Sequence, residues 1–200
     1  QSRALATAER RPDRVLRIRL ADMHIARDLT PGEFRLFETS SAKRYAAFLD
    51  GHTPIDEVLE EPSQLLQRCA VTYAGARPGV ELEGLRLGLA SDIPIGRGMG
   101  SSAAVIVAAL QALAACHDRP LDREELVALA QEVEKYQHGH PSGVDVHACA
   151  GGGAFLYRRG AGLEAVPLHL GSLFLVDTGR PVSSTGECVE AVRRRFEAAP

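Results

Sequence analysis

Lysine is nearly missing from this sequence. Of 23 basic residues only Lys43 and Lys135 are lysines, and the rest are arginines. Long apolar runs are missing too: none approaches the roughly 20 residues a membrane-spanning helix needs. The first stretch, QSRALATAERRPDRV, lacks the apolar segment of a secretory signal. There is no excess of positive charge, and a formal net charge of −3 gives no reason to expect nucleic acid or a membrane as partner. Cys69, Cys116, Cys149 and Cys188 are widely spaced and form no CxxC pair, which predicts reduced thiols in a cytoplasmic protein rather than a disulfide frame. Internal repeats and low-complexity segments are absent.

What remains is a chain of 200 residues, 45% hydrophobic and 24% charged, long enough for one domain with a core or for one domain and part of another. RVLRIRLADM, from Arg14, alternates with Leu16, Ile18 and Leu20 on one side, as a half-buried strand does. FRLFE, from Phe34, predicts a second strand, and SSAKRYAAFLD, from Ser40, a short helix closed by Gly51. Residues 55–74 are broadly helical, with Pro62 as a break. Leu85, Leu87 and Leu89 alternate in a further strand that Pro94 stops. A helix over 102–116 has apolar residues almost all round and is expected to be buried. The next helix begins at a capping box, Asp122 with Glu125, and Gly139 closes it. A loop is expected to follow, then a strand with Phe155 and Tyr157, a strand SLFLVDTG, and a last helical stretch beginning SSTGE. Strands and helices mix without βαβ alternation, so the class is α+β, with a boundary expected near residues 160–171.

The chemistry gathers in two stretches. PIGRGMGSSAA, from Pro94, sets Gly96, Gly98 and Gly100 around Arg97 and Met99, with Ser101, Ser102 and Ala103 opening the apolar helix. Glycines allow close backbone approach, and a helix start offers free N–H groups and a dipole to a phosphate. A glycine turn with serine caps and no ligand would have the same composition. A P-loop reading fails for want of the Gly-Lys-Ser/Thr ending. A dinucleotide fingerprint is weak because Pro94 separates strand from loop and two helices follow before any strand.

The second stretch, EKYQHGHPSGVDVHACAGGG, carries Glu134 on the edge of an apolar helix face and Asp145 in the expected loop. Taken alone, each is an ordinary surface or turn residue. His138, His140, His147 and Cys149 fit no zinc spacing. Together with the glycine loop, however, one carboxylate for a cation and one for a proton complete the parts list of phosphoryl transfer.

PIGRGMGSSAA, with SDIP before it, resembles the second motif of the GHMP kinases. EKYQHGHPSGVD followed by GGG is most similar to the mevalonate kinase branch, and VDTGRPVSSTGECVEAV resembles the segment opening that family's second domain. The resemblance covers about residues 80–195. It implies an α+β, GHMP-kinase-like N-terminal domain over 1–165 (ribosomal protein S5 domain 2-like) without the family's first strand, and the start of a second α+β domain over 166–200. It further implies ATP and Mg²⁺ as cofactors, with Pro94 to Ala103 binding ATP, Ser101, Ser102 and Glu134 holding Mg²⁺, Asp145 as catalytic residue, and Ser142, Asp145 and Thr185 beside the substrate. The implied substrate is an alcohol, mevalonate or a similar one; the alternatives are another GHMP kinase, acting on phosphomevalonate or a sugar, or a non-catalytic nucleotide-binding fragment. A homodimer is the macromolecular association allowed for, with no nucleic acid and no membrane. The family's opening lysine, its Gly-Glu-His segment and its third motif have no counterpart here, so the chain is expected to be a piece of a kinase with little activity of its own.

Overall fold

The structure is a computed structural model, and it describes residues 2–158, 162–167, 174, 176, 179, 182–183 and 185–197. Strands β1 (Ala4–Arg10), β2 (Leu16–Leu20) and β3 (Ile25–Leu29) precede helix α1 (Pro31–Leu49). A 3₁₀ turn (Ile55–Glu57), helix α2 (Ser63–Ala76) and strand β4 (Leu85–Ser91) follow. Helices α3 (Ser101–Cys116), α4 (Arg123–His138) and α5 (Val144–Gly151) lead to strands β5 (Phe155–Arg158) and β6 (Gly162–Ala165), and α6 (Thr185–Glu197) comes last. The α+β class holds.

The main sheet has the order β1-β4-β2-β3, with β4 antiparallel to β1 and parallel to β2. Registers place Leu16 beside Leu85, Ile18 beside Leu87 and Leu20 beside Leu89, so the alternating leucines form one continuous apolar face. Leu16, Ile18, Leu20, Leu85 and Leu87 are buried there under α2 and α3. Burying each such side chain contributes about 1.5–3 kcal/mol. The opposite face is charged: Arg17 pairs with its register neighbour Asp28, and Arg86 with Glu9.

Helix α3 is the hub of the core. Ala103, Ile106, Ala109, Leu110 and Leu113 are fully buried, and only Gln111 and Ala115 are exposed, as its nearly all-round apolar sequence requires. Helix α4 begins at the expected box, with the Glu125 amide donating to Asp122 at 2.9 Å and the Asp122 amide to the Glu125 carboxylate at 3.2 Å.

Two expectations are corrected. FRLFE is not a strand; it lies within α1. Thr30 and Glu33 form a capping box and Pro31 takes the first turn, so a helix start precedes the five residues whose alternation reads as β. Nor does Asp145 lie in a loop. Gly143, left-handed at φ 88°, starts α5, and Asp145 sits in its first turn. Strands β1, β3 and β6 are not among the expected elements. The strand expected over 172–179 falls on residues that, apart from 174, 176 and 179, lie outside the described set, as does half of the expected boundary.

Candidate active site

The glycine loop links the end of β4 to the start of α3. Gly96, Gly98 and Gly100 have φ of 70°, 70° and 64°, a left-handed backbone in which side chains are strained. Pro94, Ile95, Gly96, Gly98 and Met99 are exposed, Arg97 is half-buried, and Ala103 is fully buried in the core. Gly100 is the N-cap of α3 and brings no side chain to it. The first-turn amides of Ser101, Ser102 and Ala103 therefore have no side-chain cap, at the positive end of a helix dipole.

Three remote pieces of chain meet at this helix start. Helix α4 carries Glu134, only 3% exposed. Its carboxyl is pushed up to about 7, mainly by burial and then by the negative charge of Asp145, against a hydrogen bond from Ser102 that favours ionisation. One turn on, His138 Nε2 lies 2.9 Å from Ser102 Oγ. Burial holds its imidazole below the ordinary histidine range, with Asp145 opposing. From α5, exposed Asp145 borders the loop: a methyl group built on Gly100 would stand 3.8 Å from its Cβ, Cγ and Oδ1. Cys149, one turn beyond Asp145, has its thiol raised by burial and by Asp145 and Glu134.

The segment between α4 and α5 is anchored from outside the site. The Tyr157 hydroxyl of β5 donates to the Ser142 carbonyl at 2.7 Å, and the Val144 amide donates to Ser142 Oγ at 3.3 Å. Ser142 is exposed near the start of α5. Thr185 is the first residue of α6, and its side chain lies outside those described.

Among the described residues no group of three or more His, Cys, Asp or Glu could hold a metal by itself. A buried carboxylate, a second carboxylate and a serine hydroxyl at an uncapped helix start do fit a hard cation whose remaining ligands are phosphate and water, the usual habit of Mg²⁺. Ser101 and Ser102 also line a cavity of about 350 Å³ walled by Leu20, Leu65, Leu89 and Val105. A larger groove of about 700 Å³ lies at the other end of the sheet. Three of its four arginines are engaged: Arg11 with Asp13 at 2.6 Å, Arg14 with Glu83 at 2.5 Å and Arg10 with the Glu81 carbonyl at 2.9 Å.

The structure thus brings Ser102, Glu134 and Asp145 together beside the glycine loop. Sequence reasoning missed the contact of His138 with Ser102, the place of Cys149 beside the carboxylates, and the cavity. The cavity joins residues from β2, α2, β4 and α3, and no local pattern announces it.

Residues 64–153 match the family model of the GHMP kinases N terminal domain. The chain is 36% identical over 153 residues to a mevalonate kinase of Aeropyrum pernix, covering 74% of this chain and 45% of that one. It is 38% identical over 117 residues to a mevalonate kinase of Pyrococcus abyssi, covering 58% and 34%. The chain spans less than half the length of these curated relatives. In fold it is similar to a Lactococcus lactis galactokinase (TM-score 0.68, 19% identity, covering 100% of this chain and 50% of that one). The Methanococcus jannaschii mevalonate kinase is similar too (TM-score 0.63, 15% identity, 81% and 45%).

Proposed function

We propose that this chain, whose residues 64–153 match the GHMP kinases N terminal domain, binds MgATP at the glycine loop and serves the transfer of a phosphoryl group to a small alcohol, with mevalonate as the substrate. The observation that carries this reading is the meeting of Ser102, Glu134 and Asp145 at an uncapped helix start. Identity to mevalonate kinases over most of the chain supports the choice of alcohol.

In this reading the amides of the loop and of the first turn of α3 bind phosphate oxygens. The apolar cavity beside Ser101 and Ser102 takes the flat, apolar base. Glu134 and Ser102 hold Mg²⁺, which when bound neutralises charge on the phosphates. Asp145, exposed at the rim, orients the acceptor hydroxyl and takes its proton as the new bond forms. Ser142 and Thr185 are assigned to the acceptor in this reading. Burial of Glu134 strengthens its attraction for a cation once it is ionised, because the surrounding dielectric is low.

Titration calorimetry with MgATP and assay of ADP release with mevalonate, homoserine and galactose test the reading. Saturable MgATP binding is expected, and ADP release that, however low its absolute rate, is stimulated by mevalonate above the other alcohols. Absence of nucleotide binding would refute it, and stimulation by galactose alone would refute the choice of substrate.

A further inference from the structure

Ser102 has one hydroxyl proton and two polar neighbours. Glu134 and His138 sit one helical turn apart on α4, and both reach the same serine. A serine hydroxyl otherwise turns freely about its Cβ–Oγ bond and samples several rotamers. With a carboxylate on one side and an imidazole nitrogen at 2.9 Å on the other, one arrangement is held.

The imidazole is itself held. It is half-buried, and the main chain just beyond it is pinned because the Tyr45 hydroxyl donates to the Gly139 carbonyl at 3.4 Å. Tyr45 stacks on Tyr136 at 4.6 Å between ring centroids, and the Arg68 guanidinium lies over that same ring at 4.1 Å. The end of α4 thus rests on α1 and α2 rather than on the glycine loop.

We propose that His138 is a positioning residue: it fixes the Ser102 hydroxyl beside Glu134 so that the serine oxygen is presented to the metal–nucleotide complex in one orientation. This rests on the MgATP reading above. His138 acts through Ser102, and its effect belongs to the metal-bound nucleotide. Partners that orient a ligand residue in this way typically change metal affinity by roughly 10–100-fold when removed.

The test compares wild type, His138→Ala and His138→Gln by calorimetry, with MgATP and with ATP in excess EDTA. In His138→Ala, MgATP affinity should fall at least about tenfold while metal-free ATP binds as before. His138→Gln, whose terminal amide reaches roughly to where Nε2 stands, should recover most of the loss. In a Ser102→Ala background, His138→Ala should cost nothing further. Equal MgATP affinity in His138→Ala and wild type overturns the inference. So does an equal loss for ATP with and without metal, which a merely structural role would give. If His138→Ala does not fold, imidazole ¹⁵N shifts of His138 in wild type and Ser102→Ala decide. A change on losing the hydroxyl supports the contact, and none overturns it. Wild type that binds no MgATP overturns the kinase reading itself, and the ¹⁵N comparison then still separates a real Ser102–His138 contact from its absence.

Discussion

Phe48 closes over Gly139. A methyl group built on the glycine would stand 2.5 Å from Phe48 Cζ and 2.8 Å from Cε1. The same glycine ends α4 at φ 73° and ψ −72°, a conformation side chains avoid. Gly139→Ala should therefore cost about 2–5 kcal/mol, from backbone strain and overpacking together. Urea unfolding measures it, and a loss under about 1 kcal/mol would mean that the Phe48 ring moves aside freely.

Asp145→Asn keeps the shape of the side chain and removes its charge. If Asp145 acts on the acceptor hydroxyl, kcat should fall by about 10²–10⁴-fold while MgATP affinity changes little. Steady-state kinetics beside calorimetry separates the two. A variant with near-normal kcat would remove Asp145 from its role.

Glu134 pulls stability and binding in opposite directions. Its pKa is raised to about 7 in the fold, against an ordinary 4.5. A carboxyl that binds its proton more tightly when folded lends most stability below pH 4.5, loses that contribution as pH rises toward 7, and lends none above. Glu134→Gln should then raise Tm at pH 8 without ligand by a few degrees, with the gain shrinking as pH falls to 4.5. The same variant should bind MgATP more weakly, because a neutral amide is a poorer ligand for a hard cation. Scanning calorimetry across this range tests the sign, and a variant less stable at pH 8 than wild type contradicts it.

The cysteines should label in a fixed order. Cys69 is fully buried and its thiol is pushed up to about 12 by burial, so it should react with a disulfide reagent only after unfolding. Cys188 is exposed and should react first, ahead of Cys149, whose thiol is held up by burial and by Asp145 and Glu134. Mass spectrometry of timed samples reads the order. Early modification of Cys69 would mean that α2 does not pack as described.

Some of this was legible in the chain. The capping box at Asp122, the leucine alternation of β4 and the all-round apolar sequence of α3 are local signals, and each produced the expected element. FRLFE misled because five alternating residues carry less information than the Thr30–Glu33 box before them. Strand β1 went unseen because Ala4, Ala6 and Ala8 are small and weakly β-forming, and their fit against α3 exists only once the chain has folded. Asp145 was expected in a loop because Gly143 resembles a turn residue, whereas here its left-handed backbone starts a helix. The residues of the site came from resemblance to known motifs rather than from periodicity. Ser102 and His138 are 36 positions apart, and no spacing rule predicts a contact at that range.

The place of β4 bears on how the chain reaches this structure. It lies between β1 and β2, yet it is the last of the four strands in sequence, after α1 and α2. Until residues 85–91 join, β1 has no neighbour in the sheet and β2 pairs only with β3. On a ribosome the early strands must wait while two helices are made. Closing the sheet then brings together segments such as Ala4 and Ser91, and the entropy of closing so long a loop is lost before the leucine face repays it. Refolding should accordingly be slow beside that of a helical bundle, with the β2–β3 hairpin and nearby helices gaining protection first and β1 last. In that waiting period the apolar side of β2 is the surface most in need of shelter from other chains.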